Sequence, residues 1–435
     1  MREQEQSPCL VVLFPLKLCD MKKFLLIICA ALFLAGCGQN IQSVPPLPPP
    51  IAKVQNFDTD IYFDATVSMK GFTTLAAGNV YLTLPDLLGD LCSEKGNVQF
   101  FGFGEQIFNL DGRNYRKFAT PEVYNEAITS VANVIDRADT SHLSIIITDL
   151  FENESDWSNV SQKIRDKFFA NHLSVAVIGI KNSFYGEIYD IGLNAAHFNY
   201  NSTDNPDKFR PFYLLIFGND DAVKNFLKTF NQRQSLPNET GYLLLSANLN
   251  DTQADFSDFT LGDVENFYSD DTLNLPTAFK EFGLDNFNQA ANFMLNWQYQ
   301  PPLGTCNFDF SDVDSDIQIL CANADNWTPL DKNNDVRVSL LKDDRQRDSF
   351  LIKIAVTPEK SLVEGKVNLV SVTIRPKNLN LPTWIDLWSA NVDAATKKFD
   401  GSKTVNLNRV LESLKNSVLA ASKPILLQIN FVVTP

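Results

Sequence analysis

The stretch DTDIYFDATVSMKGF, Asp58 to Phe72, decides how this 435-residue chain is read. A strand over Asp58 to Asp64 runs straight into three oxygen-bearing side chains at alternating positions, Asp64, Thr66 and Ser68, with Gly71 three residues later. Buried strands ordinarily end in a turn residue or a cap. Alternating oxygens at a strand end have the makings of half a metal site.

Working outward, short apolar runs of strand length alternate with amphipathic runs of helix length. A helix is expected over about Val80 to Ser93, a strand over Asn97 to Gly104, and a helix opening at Thr120-Pro121 and running to Asp139, with Thr120 as cap. Strands follow at His142 to Leu150 and Leu173 to Ile180, with a helix between them. A further strand, Pro211 to Gly218, leads into the helix DDAVKNFLKTF. The alternation predicts an α/β fold, a doubly wound, mostly parallel sheet. Beyond about Gly241 the texture changes to alternating strands and turn-rich loops, and a β-rich, sandwich-like second domain is expected. FNQAANFMLNW and VNLNRVLESLKNSV read as its helical exceptions.

In an open α/β sheet, ligands sit at the carboxyl ends of the strands. Asp64, Thr66 and Ser68 lie at one such end, Asp149 at another, and Thr120 in a loop between them. The order Asp-x-Thr-x-Ser, a middle-loop Thr and a later Asp resembles the von Willebrand factor A domain and its metal-ion-dependent adhesion site. The resemblance covers about Phe57 to Asn231. It implies Mg²⁺ or Mn²⁺ held by Asp64, Thr66, Ser68, Thr120 and Asp149, with hydroxyls on the metal and carboxylates acting mostly through water. An octahedral, oxygen-loving cation suits such ligands. A partner's acidic side chain would then complete the metal shell, which makes the site a binding device. Thr73 and Thr74 stand as alternatives to Thr120. The sequence departs from the family pattern at Thr66, where the family has Ser, and at Leu150, where Gly often follows the second Asp.

The N-terminal region places the site. MKKFLLIICAALFLAGCGQN, from Met21, has two lysines, a short apolar run and Leu34-Ala35-Gly36-Cys37. This is a secretion signal too short for an ordinary membrane span. Its ending resembles a lipobox, which implies lipidation at Cys37 and a position outside the cytoplasm, on the cell membrane or outer membrane. The expected division is residues 1–36 as upstream extension and signal (with Met21 as the start), 37–56 as lipidated cysteine and proline-rich tether, 57–235 as the α/β domain and 236–435 as the β-rich domain. In an oxidising compartment Cys306 and Cys321 are a candidate disulfide, while Cys92 reads as a buried thiol.

Composition removes several classes. With 52 acidic and 37 basic residues, a formal charge of -15, the chain lacks the basic face nucleic-acid binding needs. Three separated histidines, His142, His172 and His197, do not make a zinc site or a catalytic triad. The expectation is a binding protein, not an enzyme, with membrane and protein partners. Two other readings are compatible with the residues: a metal-dependent, phosphatase-like hydrolase using Asp64 and Asp149, and a scaffold whose β-rich domain does the binding. Asp331 to Arg337 and Asp309 to Asp316 read as a turn and a solvated acidic loop rather than calcium sites, and Trp384 with Trp388 as core packing on one side of a strand.

Overall fold

The computed structural model describes residues 45–47, 56–110, 112–150, 154–190, 196–233, 239–250, 256–323, 326–330, 335–343, 348–390 and 400–434. The secretion signal, Cys37, most of the tether and Asp331 to Asn334 lie outside the described residues.

The first sheet is built from period-two runs that bury both faces. β1 (Thr59–Asp64), β2 (Val98–Phe103), β3 (Ile107–Asn109), β4 (Leu143–Thr148) and β5 (Ser174–Asn182) are followed by a hairpin of β6 (Tyr185–Asp190) and β7 (Ala196–Asn201), then by β8 (Arg210–Gly218) and β9 (Thr240–Leu245). Seven of these strands form one sheet in the order β3-β2-β1-β4-β8-β5-β9. Alternate residues feed opposite cores: Tyr62, Ile146, Val177 and Leu215 on one face, Ile61, Phe63, Ile145, Ile147, Ile178 and Leu214 on the other. Each such fully buried apolar side chain contributes about 1.5–3 kcal/mol, and β4 is buried along its whole length.

Helices cover both faces. α1 (Leu84–Ser93) and α4 (Asp220–Arg233) seal the Ile61 side, and α2 (Val131–Arg137) and α3 (Glu154–Lys167) seal the Tyr62 side. The helix expected from Thr120 to Asp139 is real only as α2. Before it the chain makes a 3₁₀ turn at Pro121–Val123, then runs beside the end of β1, where Glu126 pairs with Thr66.

Two expectations about the sheet are corrected. β1 is parallel to β2 and β4, but β8 is antiparallel to both of its neighbours, β4 and β5. The cause is the β6–β7 hairpin: the chain leaves β5 at its carboxyl end, turns within the hairpin, and re-enters the sheet from that same end. The sheet is therefore mixed. The second correction concerns the boundary near residue 235. β9 is the edge strand of this sheet, and α5 (Trp384–Trp388) and α6 (Leu407–Ala421) return from far along the chain to the Tyr62 face. Leu407, Val410, Leu411, Leu414 and Val418 pack there, at the spacing of one helix face.

The intervening chain forms two more sheets. One has four antiparallel strands in the order Phe259–Glu265, Ala291–Gln298, Ser349–Val356, Val336–Lys342. The other has six, in the order Phe267–Ser269, Phe279–Leu284, Leu427–Thr434, Asn368–Pro376, Val313–Asn323, Asn326–Pro329. Residues of both meet in one core that includes Phe282, Phe293, Ile352, Val372 and Phe431. The expected helix FNQAANFMLNW is here a strand, with Ala291, Phe293, Leu295 and Trp297 buried and the residues between them partly exposed.

Other sequence readings resolve locally. Cys306 packs in the first core while Cys321 lies on Val313–Asn323 in the six-stranded sheet, and neither is in a disulfide among the described residues, nor is Cys92. The candidate disulfide is thus not formed. Trp384 and Trp388 pack as expected, but on one turn of helix with ring centroids 5.0 Å apart, and Trp384 lies against Gly241, which has no side chain to obstruct it. Three of the four acids of Asp309 to Asp316 are engaged with cations, Asp312 and Asp314 with Lys377 and Asp316 with Arg375, while Asp309 accepts from Ser311. Of the tether, Pro46 accepts a hydrogen bond from the Trp327 indole at 3.3 Å, and Leu47 packs on Ala322, Val367, Leu369 and Val432.

Candidate metal centre

The carboxyl ends of β1 and β4 meet where the sheet's neighbouring loops diverge, and the side chains there are oxygen donors. Asp64, the last residue of β1, is fully buried. One carboxylate oxygen accepts the Thr66 backbone N–H at 3.0 Å and the Thr66 hydroxyl at 2.7 Å. The other accepts the Thr148 hydroxyl at 2.8 Å and the Thr129 hydroxyl at 3.2 Å. With its lone pairs so used, Asp64 organises hydroxyls rather than offering itself to solvent.

The hydroxyls converge. Thr66 Oγ1 lies 3.0 Å from Ser68 Oγ and 3.4 Å from Thr129 Oγ1. Thr66 is buried, whereas Ser68 and Thr129 are half-buried and form the lip. Thr66 gives its proton to Asp64, so its remaining lone pairs face the other two hydroxyls. Asp149, at the end of β4, is buried and pairs with Arg210 at 3.3 Å. Burial, then the charge of Asp149, pushes the Asp64 carboxyl up to about 7, against the bonds from Thr66 and Thr148.

Thr120 does not join this group. Its hydroxyl donates to the Lys117 carbonyl at 2.8 Å, and the middle-loop threonine that reaches Asp64 is Thr129. The backbone explains the substitution. Val67 N–H donates to Glu126 O at 3.0 Å and Glu126 N–H to Ala65 O at 3.1 Å, pinning the 126–129 loop against the motif. Thr73 and Thr74 are likewise spent on the carbonyls of Lys70 and Gly71.

The segment after Ser68 has a packing role. Met69–Thr73 is a 3₁₀ turn, and a Cβ on Gly71 would stand 2.4 Å from the Phe184 ring, so only glycine lets the turn seat against the β6–β7 hairpin. Leu150 adopts a left-handed backbone, φ 56°, where glycine is favoured, while its N–H reaches the Thr148 hydroxyl at 3.2 Å. Beneath the site Tyr81 and Tyr124 bond through their hydroxyls at 2.8 Å, and burial raises both phenols.

The hydroxyl spacings can be set beside those in the shell of a hard cation. Adjacent vertices of an octahedron with metal–oxygen bonds of about 2.1 Å are about 3.0 Å apart. The distances from Thr66 Oγ1 to Ser68 Oγ, 3.0 Å, and to Thr129 Oγ1, 3.4 Å, lie near that edge, and the shorter is also that of an ordinary hydroxyl hydrogen bond. Among the described residues no group of three or more His, Cys, Asp or Glu side chains gathers, so any ion here rests on hydroxyls more than on acids.

No protein-family model matches the chain, and no curated protein or solved structure was found similar to it. Among the described residues no helix is long and apolar enough to cross a membrane.

Proposed function

We propose that this chain is a lipid-anchored, extracytoplasmic binding protein in which a von Willebrand factor A-like α/β unit takes Mg²⁺ or Mn²⁺ and, through it, an acidic side chain of a protein partner. Thr66, Ser68 and Thr129 would touch the ion, with Asp64 orienting their hydroxyls and Asp149 acting through water. The bound ion supplies an electrophilic position for an incoming carboxylate. The two β sheets would form an attached sandwich, and Cys37 would carry the lipid.

The observation that carries this reading is the convergence of the Ser68 and Thr129 hydroxyls on that of Thr66, at 3.0 and 3.4 Å, above the buried carboxylates of Asp64 and Asp149 and with Ser68 and Thr129 half-buried. Exposed apolar residues support a docking role for the same face. Ile128 precedes Thr129, Leu75 follows the 3₁₀ turn, and Tyr185 accepts a hydrogen bond from Thr74 through its carbonyl. Three of the seven large apolar side chains exposed among the described residues thus flank these loops, a surface better suited to a protein than to a small substrate.

Calorimetry with Mg²⁺ and Mn²⁺ on the chain from Gly38 onward tests it, beside Ser68→Ala and Asp64→Ala. Saturating ion, at about 100 times its Kd, should stabilise the wild type by about 2.7 kcal/mol. Heat and melting shift should vanish in both variants. Binding that persists in both would place the ion elsewhere.

A further inference from the structure

Arg210 is the unexpected charge in this site, and topology puts it there. β8 runs opposite to β4 and β5, so its first residue, not its last, arrives at the carboxyl ends of those strands, level with Asn182 at the end of β5. The side chain is 1% exposed. One terminal nitrogen lies 3.3 Å from an Asp149 oxygen and the other 3.3 Å from the Gly401 carbonyl, while Nε has no hydrogen-bond partner among the described residues. The Phe184 ring lies 5.5 Å from the guanidinium carbon.

These contacts are long for a buried cation. Charge-assisted bonds to carboxylates are about 2.7–2.9 Å. A buried guanidinium with one unpartnered N–H and two stretched bonds is weakly held, and its main compensation is the charge of Asp149. Asp149 is also the carboxylate through which a divalent ion on the hydroxyl triad would be stabilised. One carboxylate therefore faces two cations, and like charges at that range repel strongly in a low-dielectric setting.

We infer that Arg210 and the divalent cation compete for Asp149, so that Arg210 is an internal cation that sets the metal affinity of the site. This rests on the metal reading given above. Arg210 neutralises half of the carboxylate pair when the ion is absent, and entry of the ion weakens its hold on Asp149. The Gly401 segment offers the guanidinium its other anchorage, next to Asp400. Because coupling between two ligands of one site is reciprocal, the ion must loosen Arg210 as much as Arg210 weakens the ion.

The test compares Mn²⁺ and Mg²⁺ affinities of the wild type, Arg210→Met and Arg210→Lys by calorimetry, with melting curves as a folding control. Arg210→Met should bind at least tenfold more tightly, and Arg210→Lys, which keeps the charge, should stay within about threefold of the wild type. Binding by Arg210→Met where the wild type shows none also supports the competition. Unchanged affinity in a folded Arg210→Met overturns it and leaves the metal reading standing; absence of binding in all three proteins overturns both. Should Arg210→Met not fold, wild-type NMR decides. The Arg210 Nε–H resonance should shift and exchange faster on titration with Mg²⁺, and a resonance unmoved at saturation overturns the inference.

Discussion

The Thr129 hydroxyl stands 3.2 Å from one carboxylate oxygen of Asp64 and 3.4 Å from the other, across 65 residues of chain. That contact, and not any made by Thr120, closes the hydroxyl triad. Thr129→Val removes the oxygen while nearly keeping the shape, at a half-buried position where little stability is at stake. Metal affinity should fall at least tenfold, about 1.4 kcal/mol. Thr120→Val should leave it within twofold, since that hydroxyl serves Lys117. Calorimetry on the two variants separates them, and an equal loss in both would remove Thr129 from the site.

Why Thr129 escaped sequence reading is physical. Val123, Ala127, Val131 and Val134 carry a helical spacing, and Thr120-Pro121 supplies a helix opening. The segment instead spends its backbone on Ala65 and Val67 before α2 begins at Val131. The pairing partner lies some 60 residues away, where no local propensity can report it. The strands were legible because burial on two faces demands apolar runs such as LSIIIT, and Asp64 and Asp149 because polar residues end those runs. The direction of β8 was not legible. A buried strand has the same pattern read either way, and only the β6–β7 hairpin turns it. Ala291–Gln298 departs from the helical expectation because its buried residues recur with a period of two, which a strand satisfies and a helix does not.

The cysteines give a test of the packing. Burial pushes the thiols of Cys92 and Cys306 up to about 12 from an ordinary 9.0. At pH 8 the native protein should present about a thousandfold less thiolate at each than an exposed thiol would. The chain from Gly38 should therefore show almost no reaction with a thiol reagent until denatured, then three thiols without prior reduction. The stability effect has a definite sign. Above pH 9 the unfolded chain releases these protons while the native state keeps them, so stability falls as pH rises from about 9 towards 12 and is unaffected below that range. One reactive thiol in place of three in the denatured, unreduced protein would show a disulfide between two of these cysteines and contradict this arrangement.

Gly71 and Gly186 pass so close that a Cβ on Gly186 would meet the Gly71 Cα at 3.1 Å, and one on Gly71 would enter the Phe184 ring. That ring is buried and packs edge-on against Phe72, with centroids 4.9 Å apart, so it has little room to yield. Gly71→Ala should destabilise the protein by about 1–3 kcal/mol. The displaced turn begins at Ser68, so metal affinity should weaken several-fold as well. Urea denaturation with and without Mg²⁺ measures both; a stability loss under about 0.5 kcal/mol would show that the hairpin does not hold this turn.

Leu150 sets backbone strain against burial. Its φ of 56° costs an L-residue about 1–2 kcal/mol, yet its side chain is buried in the core shared with Trp157 and Tyr213. Truncation to Ala loses the packing, about 2–5 kcal/mol, and keeps the strain. Truncation to Gly loses the packing and relieves the strain. Elsewhere in a strand or helix Gly is about 0.5–1 kcal/mol worse than Ala. Here the order should reverse, with Leu150→Gly more stable than Leu150→Ala by about 1 kcal/mol in urea unfolding. The usual order, Ala above Gly, would mean that the residue after Asp149 is not held in the left-handed region.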